Sequence, residues 1–344
     1  MPKPTATPPP RPPRVAPGST DRRIDRLLGL LADHPMVVVS GAKIARQIGV
    51  SRSAVWRWVE TLRRLGVKIK GHPKTGYRLE RVPDILVPQL LQPRLRGTGF
   101  GRRIHHFFKT GSTNTVALRL AAEGEPHGAL VIAEEQTAGR GRLGRSWYSE
   151  KTSGLYLSIL LRPELPPQQA PLLTLAAGLA VHEAVMQILP SLPLDLRWPN
   201  DLLTGGKKFA GILTEMQAES HRIHYVVVGI GVDVNHAQMP AELEGIATSL
   251  RLAAGHQVSR LDLLAHLLTT FDRYYNHLLA EGAAPIVARF AEVSSYARGK
   301  RVRVSGPREE FTGVTEGLDA TGTLLVRRDD GTLVPVLAGD VTEL

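Results

Sequence analysis

The segment EEQTAGRGRLGRSW (134–147) alternates Gly139, Gly141 and Gly144 with Arg140, Arg142 and Arg145. Glycine permits tight turns and lets a ligand approach backbone. Guanidinium groups present forked donors that match carboxylate or phosphate oxygens. The string is neither G-x-G-x-x-G nor a Walker loop, since no G-K-[ST] follows. It reads either as a loop for a phosphoryl or carboxylate group, or as a flexible basic loop or RNA-binding glycine–arginine tract. Apolar strands expected on both sides argue against the tract.

A second cluster is RWPNDLLTGGKKFAGILTEM (197–216). Pro199 fixes the chain ahead of Asn200 and Asp201, Gly205 and Gly206 make a turn, and Lys207 and Lys208 open an apolar strand. Side chains alternate along a strand, so only one of these lysines can face a pocket in a regular one. A lysine at the mouth of a strand suits a ligand, but edge strands also carry ordinary lysines. In GIGVDVNH (229–236) the glycines would let a ligand lie against the strand end. Asp233 and Asn235 share one face there and could hold a nucleotide or Mg²⁺, or merely form the strand exit. GSTN (111–114) offers small hydrogen-bonding side chains between a strand and a helix, or simply a helix cap.

Other chemistries find less support. There are no cysteines, which excludes disulfides and thiolate nucleophiles or metal ligands. The twelve histidines show no metal-binding spacing. His221 and His224 fall in an expected surface turn, and His105 and His106 lack a third partner. There is no G-x-S-x-G elbow.

The elements that must position these clusters divide the 344 residues into two or three domains. Residues 1–20 hold eight prolines and are expected to be a disordered basic tail. Residues 21–80 predict three helices and a hairpin, the order of a winged helix-turn-helix. Ile24, Leu27, Leu28 and Leu31 have helical spacing; Ser40 and Ser51 can cap the second and third helices, with Gly49 between them. Residues 1–80 carry 16 Lys and Arg against 5 Asp and Glu, whereas the remainder holds 27 of each sign. The whole excess of +11 is therefore local, as expected of a polyanion footprint, although a solvated surface would give it too. Arg52, Ser53 and Arg57 on the third helix and Lys74 in the hairpin turn are the expected DNA contacts. Residues 81–100 read as a proline-containing linker and 101–297 as an α/β or α+β catalytic domain with a mixed sheet. Short strands between Gly and Asp turns make 298–344 an expected small SH3-like β-barrel. No apolar run reaches the ~20 residues of a membrane span. The start lacks a signal-like apolar segment, so a cytoplasmic protein without membrane contact is expected.

Taken together, GSTN, EEQTAGRGRLGRSW, RWPNDL with KKFAGIL, and GIGVDVN resemble the biotin–protein ligase family, in the family's order and roughly its spacing. The resemblance covers 104–344, and with 21–80 the layout is similar to bifunctional bacterial members that are both ligase and biotin-operon repressor. It implies a two-step reaction with ATP and Mg²⁺: biotinyl-5′-adenylate forms, then biotin passes to a lysine of the biotin carrier protein of acetyl-CoA carboxylase. By the same resemblance Ser112, Thr113, Asn114, Gln136, Arg140 and Gly141 would contact biotin. Arg142 and Lys208 would contact biotin too and act in catalysis, Lys208 at the carboxylate–phosphate junction and Arg142 also on the nucleotide side. Arg145, Trp147, Asn200, Asp201, Asp233 and Asn235 would form the nucleotide side, with Asp233 a weak Mg²⁺ ligand. Asp233 departs from the family's usual asparagine. Duplex operator DNA and a homodimer of the adenylate-bound form are the further expected partners. Alternatives are a ligase with a non-regulatory winged helix, a non-catalytic biotin-sensing transcription factor, and a lipoate ligase.

Overall fold

The structure is a computed structural model; it describes residues 19–344 except 35, 73, 82, 307 and 308. The expected tail lies outside the described residues as far as residue 18, and the first helix already begins at Ser19.

Helices α1 (Ser19–Ala32), α2 (Gly41–Ile48) and α3 (Arg52–Arg64) precede an antiparallel hairpin of β1 (Ile69–His72) and β2 (Gly76–Leu79). The local signals act as their chemistry requires. Ser40 Oγ accepts from the Lys43 N–H at 3.1 Å, and Ser51 Oγ accepts from the Ala54 N–H at 3.2 Å. Gly49 ends α2 with φ 75°, a left-handed conformation that favours glycine. Leu27, Leu28, Leu31, Ile44, Val55, Val59 and Leu62 form the core of this winged helix.

The stretch expected as a linker is packed. It contains α4 (Pro88–Leu91), and Leu86, Val87, Leu91 and Phe100 are buried in the core shared with the catalytic body.

The body is built on a seven-stranded mixed sheet. Its strands are β3 (Ile104–Phe107), β4 (Leu130–Ala133), β5 (Leu155–Leu161), β6 (Asp195–Arg197), β7 (Asp201–Thr204), β8 (Lys207–Ala218) and β9 (Ile223–Val232), in the order β3-β4-β5-β9-β8-β7-β6. Only β3 and β4 pair in parallel. Helix α5 (Thr113–Ala122) packs on β4, β5 and β9, while α6 (Ala170–Ile188) packs on β8 and on α8 (Arg260–Glu281). The short α7 (Leu250–Ala254) and α9 (Ala284–Val293) complete the body. One expectation is corrected here. Pro167–Ile188, with a mean hydropathy of 1.4, is long and apolar enough to cross a membrane. Its apolar residues are instead spent inside the protein: Leu172, Leu173, Ala176, Ala177, Leu179, Ala180 and Val181 are fully buried. Such burial on all sides marks a core helix.

The C-terminal strands β10 (Arg298–Ser305), β11 (Glu310–Leu318), β12 (Leu324–Arg328), β13 (Leu333–Val336) and β14 (Asp340–Glu343) correct a second expectation. They form an open antiparallel sheet in the order β13-β12-β11-β10-β14, not an SH3-like barrel. Closure would need β13 to pair with β14, and no such ladder occurs among the described residues. Strand β13 has four residues, and Pro335 within it lacks an N–H, which suits an edge. The sheet is anchored to the body instead: Trp198 Nε1 donates to Gly322 O at 2.9 Å.

Candidate active site

A cavity of about 450 Å³ opens between α5, the glycine–arginine loop, the β7–β8 hairpin and the ends of β8 and β9. It is lined by Ser112, Thr113 and Asn114, by Gln136, Arg140, Gly141, Arg142, Arg145 and Trp147, and by Asn200, Asp201, Lys208 and Asp233. Thirteen residues singled out in four separate stretches of sequence therefore share one space. Asn235 does not line it; its amide is committed to Val258, donating to the carbonyl at 2.8 Å and accepting from the N–H at 2.9 Å.

The deep end is a hydrogen-bonded lattice. Ser112 occupies the N-cap position of α5, but its side chain makes no cap hydrogen bond. The Thr113 N–H donates to Gln136 Oε1 at 2.8 Å, and Gln136 Nε2 donates to Ser149 Oγ at 2.9 Å. Ser158 Oγ donates to Asn114 Oδ1 at 2.6 Å or to Thr113 Oγ1 at 2.9 Å. Asn114 Nδ2 donates to Leu213 O at 3.1 Å and to Glu215 Oε2 at 2.9 Å. Gly229 is required beneath this lattice, because a Cβ there would fall 2.1 Å from Asn114 Oδ1.

Gly211 and Gly231 face each other across β8 and β9. A Cβ on them would lie 3.0 and 2.5 Å from the Trp147 indole, so the ring rests on a shelf of bare backbone. The Trp147 Nε1–H is buried and has no hydrogen-bond partner among the described residues.

A bulge decides which lysine enters. Leu202 pairs with Ala210 but Leu203 with Lys208, so Phe209 is extra on β8. The additional residue puts Lys208 on the same face as Gly211 and Leu213, where strict alternation from Lys208 would have reached Ala210 and Ile212. Lys208 Nζ lies 2.6 Å from Asp201 Oδ1 and 5.2 Å from the centre of the Trp147 ring. Lys207 is exposed and donates to Glu244 O at 2.9 Å, outside the cavity. Burial opposes the Asp201 charge, but Lys208 and Arg197 outweigh it and hold the carboxyl below its usual range. Asp233 is buried; its Oδ1 makes no hydrogen bond and lies 3.7 Å from His236 Nδ1, and burial pushes its carboxyl well above the usual range against the opposing charge of Lys208.

The three loop arginines have separate anchors. Arg140 makes a two-pronged contact with Glu215, at 2.8 and 3.2 Å. Arg142 donates to Asn200 Oδ1 at 2.7 Å and to Gly339 O at 3.0 Å. Arg145 pairs with Asp340 of β14. Glu215, Ser158, Gly211 and Asp340 were not singled out from sequence. Only strand pairing reveals their positions.

On the winged helix, Arg52, Ser53, Arg57 and Lys74 are all exposed. Arg52, Ser53 and Lys74 line a shallow concavity between α3 and the hairpin turn, which Trp56, 56% exposed, also lines. An exposed indole beside arginines is a further contact candidate that the sequence reading did not single out.

Residues 108–233 match the Biotin/lipoate A/B protein ligase family, residues 23–78 an HTH domain and residues 298–342 the Biotin protein ligase C terminal domain. The chain is 38% identical over 309 residues to the bifunctional ligase/repressor BirA of Bacillus subtilis (strain 168), covering 89% of this chain and 94% of that one. It is 35% identical over 271 residues to the biotin–[acetyl-CoA-carboxylase] ligase of Mycobacterium tuberculosis (strain ATCC 25618 / H37Rv), covering 77% and 98%. Among solved structures it resembles the biotin protein ligase of Aquifex aeolicus in complex with biotin and ATP. The TM-score is 0.61 at 29% identity, over 70% of this chain and 98% of that one. By this identity and coverage, the chain belongs to the biotin–protein ligase family.

Proposed function

We propose that the protein is an ATP-dependent biotin–protein ligase that also represses transcription in response to biotin. The observation that carries the ligase reading is the placement of Lys208 at the cavity mouth. It is fixed against Asp201 and next to Gly211 of the glycine shelf, in the cavity that Arg142 also lines. In the first step a biotin carboxylate oxygen attacks the α-phosphorus of ATP and pyrophosphate leaves. Two anions must meet, and fixed cations at their junction lower that barrier. Lys208 and Arg142 supply them. Asn114, Thr113 and Gln136 shape the deep end for biotin, and Trp147 shields the adenylate from water. In the second step an acceptor lysine amine attacks the biotinyl carbonyl carbon, AMP leaves, and the amide nitrogen gives up its proton to solvent.

Asp233 bears on Mg²⁺. Its Oδ1 makes no hydrogen bond and lies 3.7 Å from His236 Nδ1, so once ionised it offers one hard oxygen ligand in the cavity, and Mg²⁺ commonly takes one or two carboxylates together with substrate phosphates. The residues present fit a cation carried in with ATP, which Asp233 would hold and which would neutralise charge on the triphosphate.

The acceptor in this proposal is the biotin carrier protein of acetyl-CoA carboxylase. The winged helix would bind duplex operator DNA, and the adenylate-bound protein would form the homodimer that does so. The test is incubation with ATP, Mg²⁺, biotin and a biotin carrier domain, read by mass spectrometry of the carrier. One added biotinyl group is expected, and none with lipoate in place of biotin. No biotin-dependent pyrophosphate release would refute the enzyme, leaving a biotin-sensing transcription factor.

A further inference from the structure

Glu215 stands apart from the residues given roles above. It sits on β8 on the same face as Gly211 and Leu213, beyond the deep end of the cavity. Its side chain retains 23% of its exposure. Both carboxylate oxygens are used. Oε1 accepts from Arg140 at 2.8 Å; Oε2 accepts from Arg140 at 3.2 Å and from Asn114 Nδ2 at 2.9 Å. One carboxylate thereby joins three elements: the glycine–arginine loop, the start of α5 and the interior strand β8.

The other two loop anchors differ. Arg142 and Arg145 are held by Asn200 and by residues of the C-terminal sheet, on the far side of the loop. Neither anchor touches Asn114 or Gln136. Of the three arginine anchors, the one on Glu215 reaches Asn114, while Gln136 at the start of the segment meets Thr113 separately. Asn114 has no freedom to drift: its amide nitrogen is divided between Leu213 O and Glu215, and its oxygen is within reach of the Ser158 hydroxyl. Any ligand that settles the Asn114 amide therefore settles the Glu215 carboxylate, and with it the first arginine of the loop.

We infer that Glu215 is a positioning residue that latches the glycine–arginine loop to the deep end of the cavity, so that the loop stays closed over bound adenylate. This rests on the ligase reading above. It places Glu215 away from the reacting atoms, so its loss acts on retention of the intermediate rather than on the bond-forming step.

The experiment uses the full-length protein with biotin, ATP and Mg²⁺. Single-turnover pyrophosphate release gives the rate of adenylation, and a chase with unlabelled biotin and ATP gives the rate at which labelled adenylate escapes. Loss of a two-pronged charged contact predicts escape faster by about tenfold or more in Glu215→Ala, with adenylation within about threefold of wild type. Glu215→Gln has almost the same shape but only one acceptor oxygen. That oxygen can still accept from both Arg140 and Asn114, as Oε2 does, but the charge and the second prong to Arg140 are lost, so the variant should fall between wild type and Glu215→Ala. It also serves as the readable variant if Glu215→Ala folds poorly. Arg140→Ala combined with Glu215→Ala should release adenylate no faster than the more impaired single variant, since the two act as one contact. Gln217→Ala, an exposed position on the same strand, is the control. Escape unchanged in both Glu215 variants, or additive in the double variant, overturns the latch. So does an adenylation rate that falls in step with retention. Absence of adenylate in the wild type would instead count against the ligase reading.

Discussion

His106 Nδ1 lies 3.1 Å from Asp25 Oδ1, and this buried pair joins the body's edge strand to the first helix of the winged helix. The other ring nitrogen is 3.4 Å from Glu134 Oε1. Glu134 in turn accepts from the Leu86 N–H at 2.7 Å and from Arg260 at 2.9 Å, and Arg260 also pairs with Asp84. The chain of contacts runs from the DNA-binding unit to a residue two positions before Gln136. Burial works against the His106 charge, but Asp25 and Glu134 prevail and raise it to about 9. Burial likewise opposes the Glu134 charge, but Arg260, His106 and the Leu86 N–H hold it down to about 2.

The pH dependence of this junction follows from those directions. A raised histidine contributes stability that is complete below its unfolded value of about 6.5 and is lost as pH rises through about 9. A depressed glutamate contributes above about 4.5 and is lost as pH falls towards about 2. Urea unfolding should therefore be most resistant between roughly pH 4.5 and 6.5 and weaken steadily towards pH 9. His106→Phe leaves Asp25 and Glu134 buried without their shared cation, which costs on the order of 3–5 kcal/mol. Limited proteolysis between residues 81 and 87 should then accelerate. A variant with wild-type proteolysis and an unchanged pH profile would dismiss this junction as the coupling element.

The second prediction separates the two adjacent lysines. Lys208→Ala removes the cation beside Asp201 and should slow adenylation by ~100-fold or more, the scale seen when a fixed electrostatic contact to a developing charge is lost. Lys207→Ala removes only a contact to Glu244 O and should stay within a few-fold of wild type. Pyrophosphate bursts on protein checked by circular dichroism decide it. Equal losses in both would break the assignment.

How much of this was legible depended on where the information lay. The glycine–arginine loop, WPND and KKFAGIL stand out because unusual residues are dense within a few positions. Ser40, Gly49 and Ser51 mark helix ends because capping is a local interaction. Glu215 and Asp340 are lone acids in ordinary strands, and their partners lie 75 and 195 positions away. His106 looked like a strand-edge histidine because its partners come from α1 and the end of β4. The Phe209 bulge left no local mark, since it is a property of pairing with β7. Closure of the C-terminal strands likewise depends on a β13–β14 contact that alternation cannot specify.

The third prediction concerns DNA. Arg52→Ala should weaken binding to duplex DNA and lower the slope of log affinity against log salt by about 1, if its guanidinium neutralises a phosphate. Trp56 is exposed and uncharged, so Trp56→Ala should weaken binding without changing that slope. Fluorescence anisotropy of a labelled upstream biotin-gene duplex from 50 to 200 mM salt would measure both. Unchanged binding in both variants would move the interface elsewhere on the winged helix.

The last prediction tests the glycine shelf. Gly231 has an ordinary backbone conformation, so an added methyl is resisted by its neighbour alone. That neighbour is Trp147, with Cε2 only 2.5 Å from the position of the new Cβ. A gap that short forces the indole off the shelf, whereas at Gly211 the corresponding approach is 3.0 Å and a small shift suffices. Overpacking of this kind usually costs about 1–3 kcal/mol when the surroundings are rigid, but Trp147 lies on a loop outside the strands, where a shift disturbs little of the core. The cost should therefore appear in ligand binding more than in stability. Gly231→Ala is expected to fold with a melting temperature near wild type, to shift the emission of Trp147, and to lose at least about tenfold in biotinyl-adenylate affinity. Gly211→Ala should show the same effects to a lesser degree. Comparing each variant with its Trp147→Phe counterpart isolates that indole from Trp56, Trp58 and Trp198. If Gly231→Ala bound adenylate as wild type does and its emission were unchanged, the indole would not rest on these two strands in solution. Its place over the nucleotide would have to be assigned afresh.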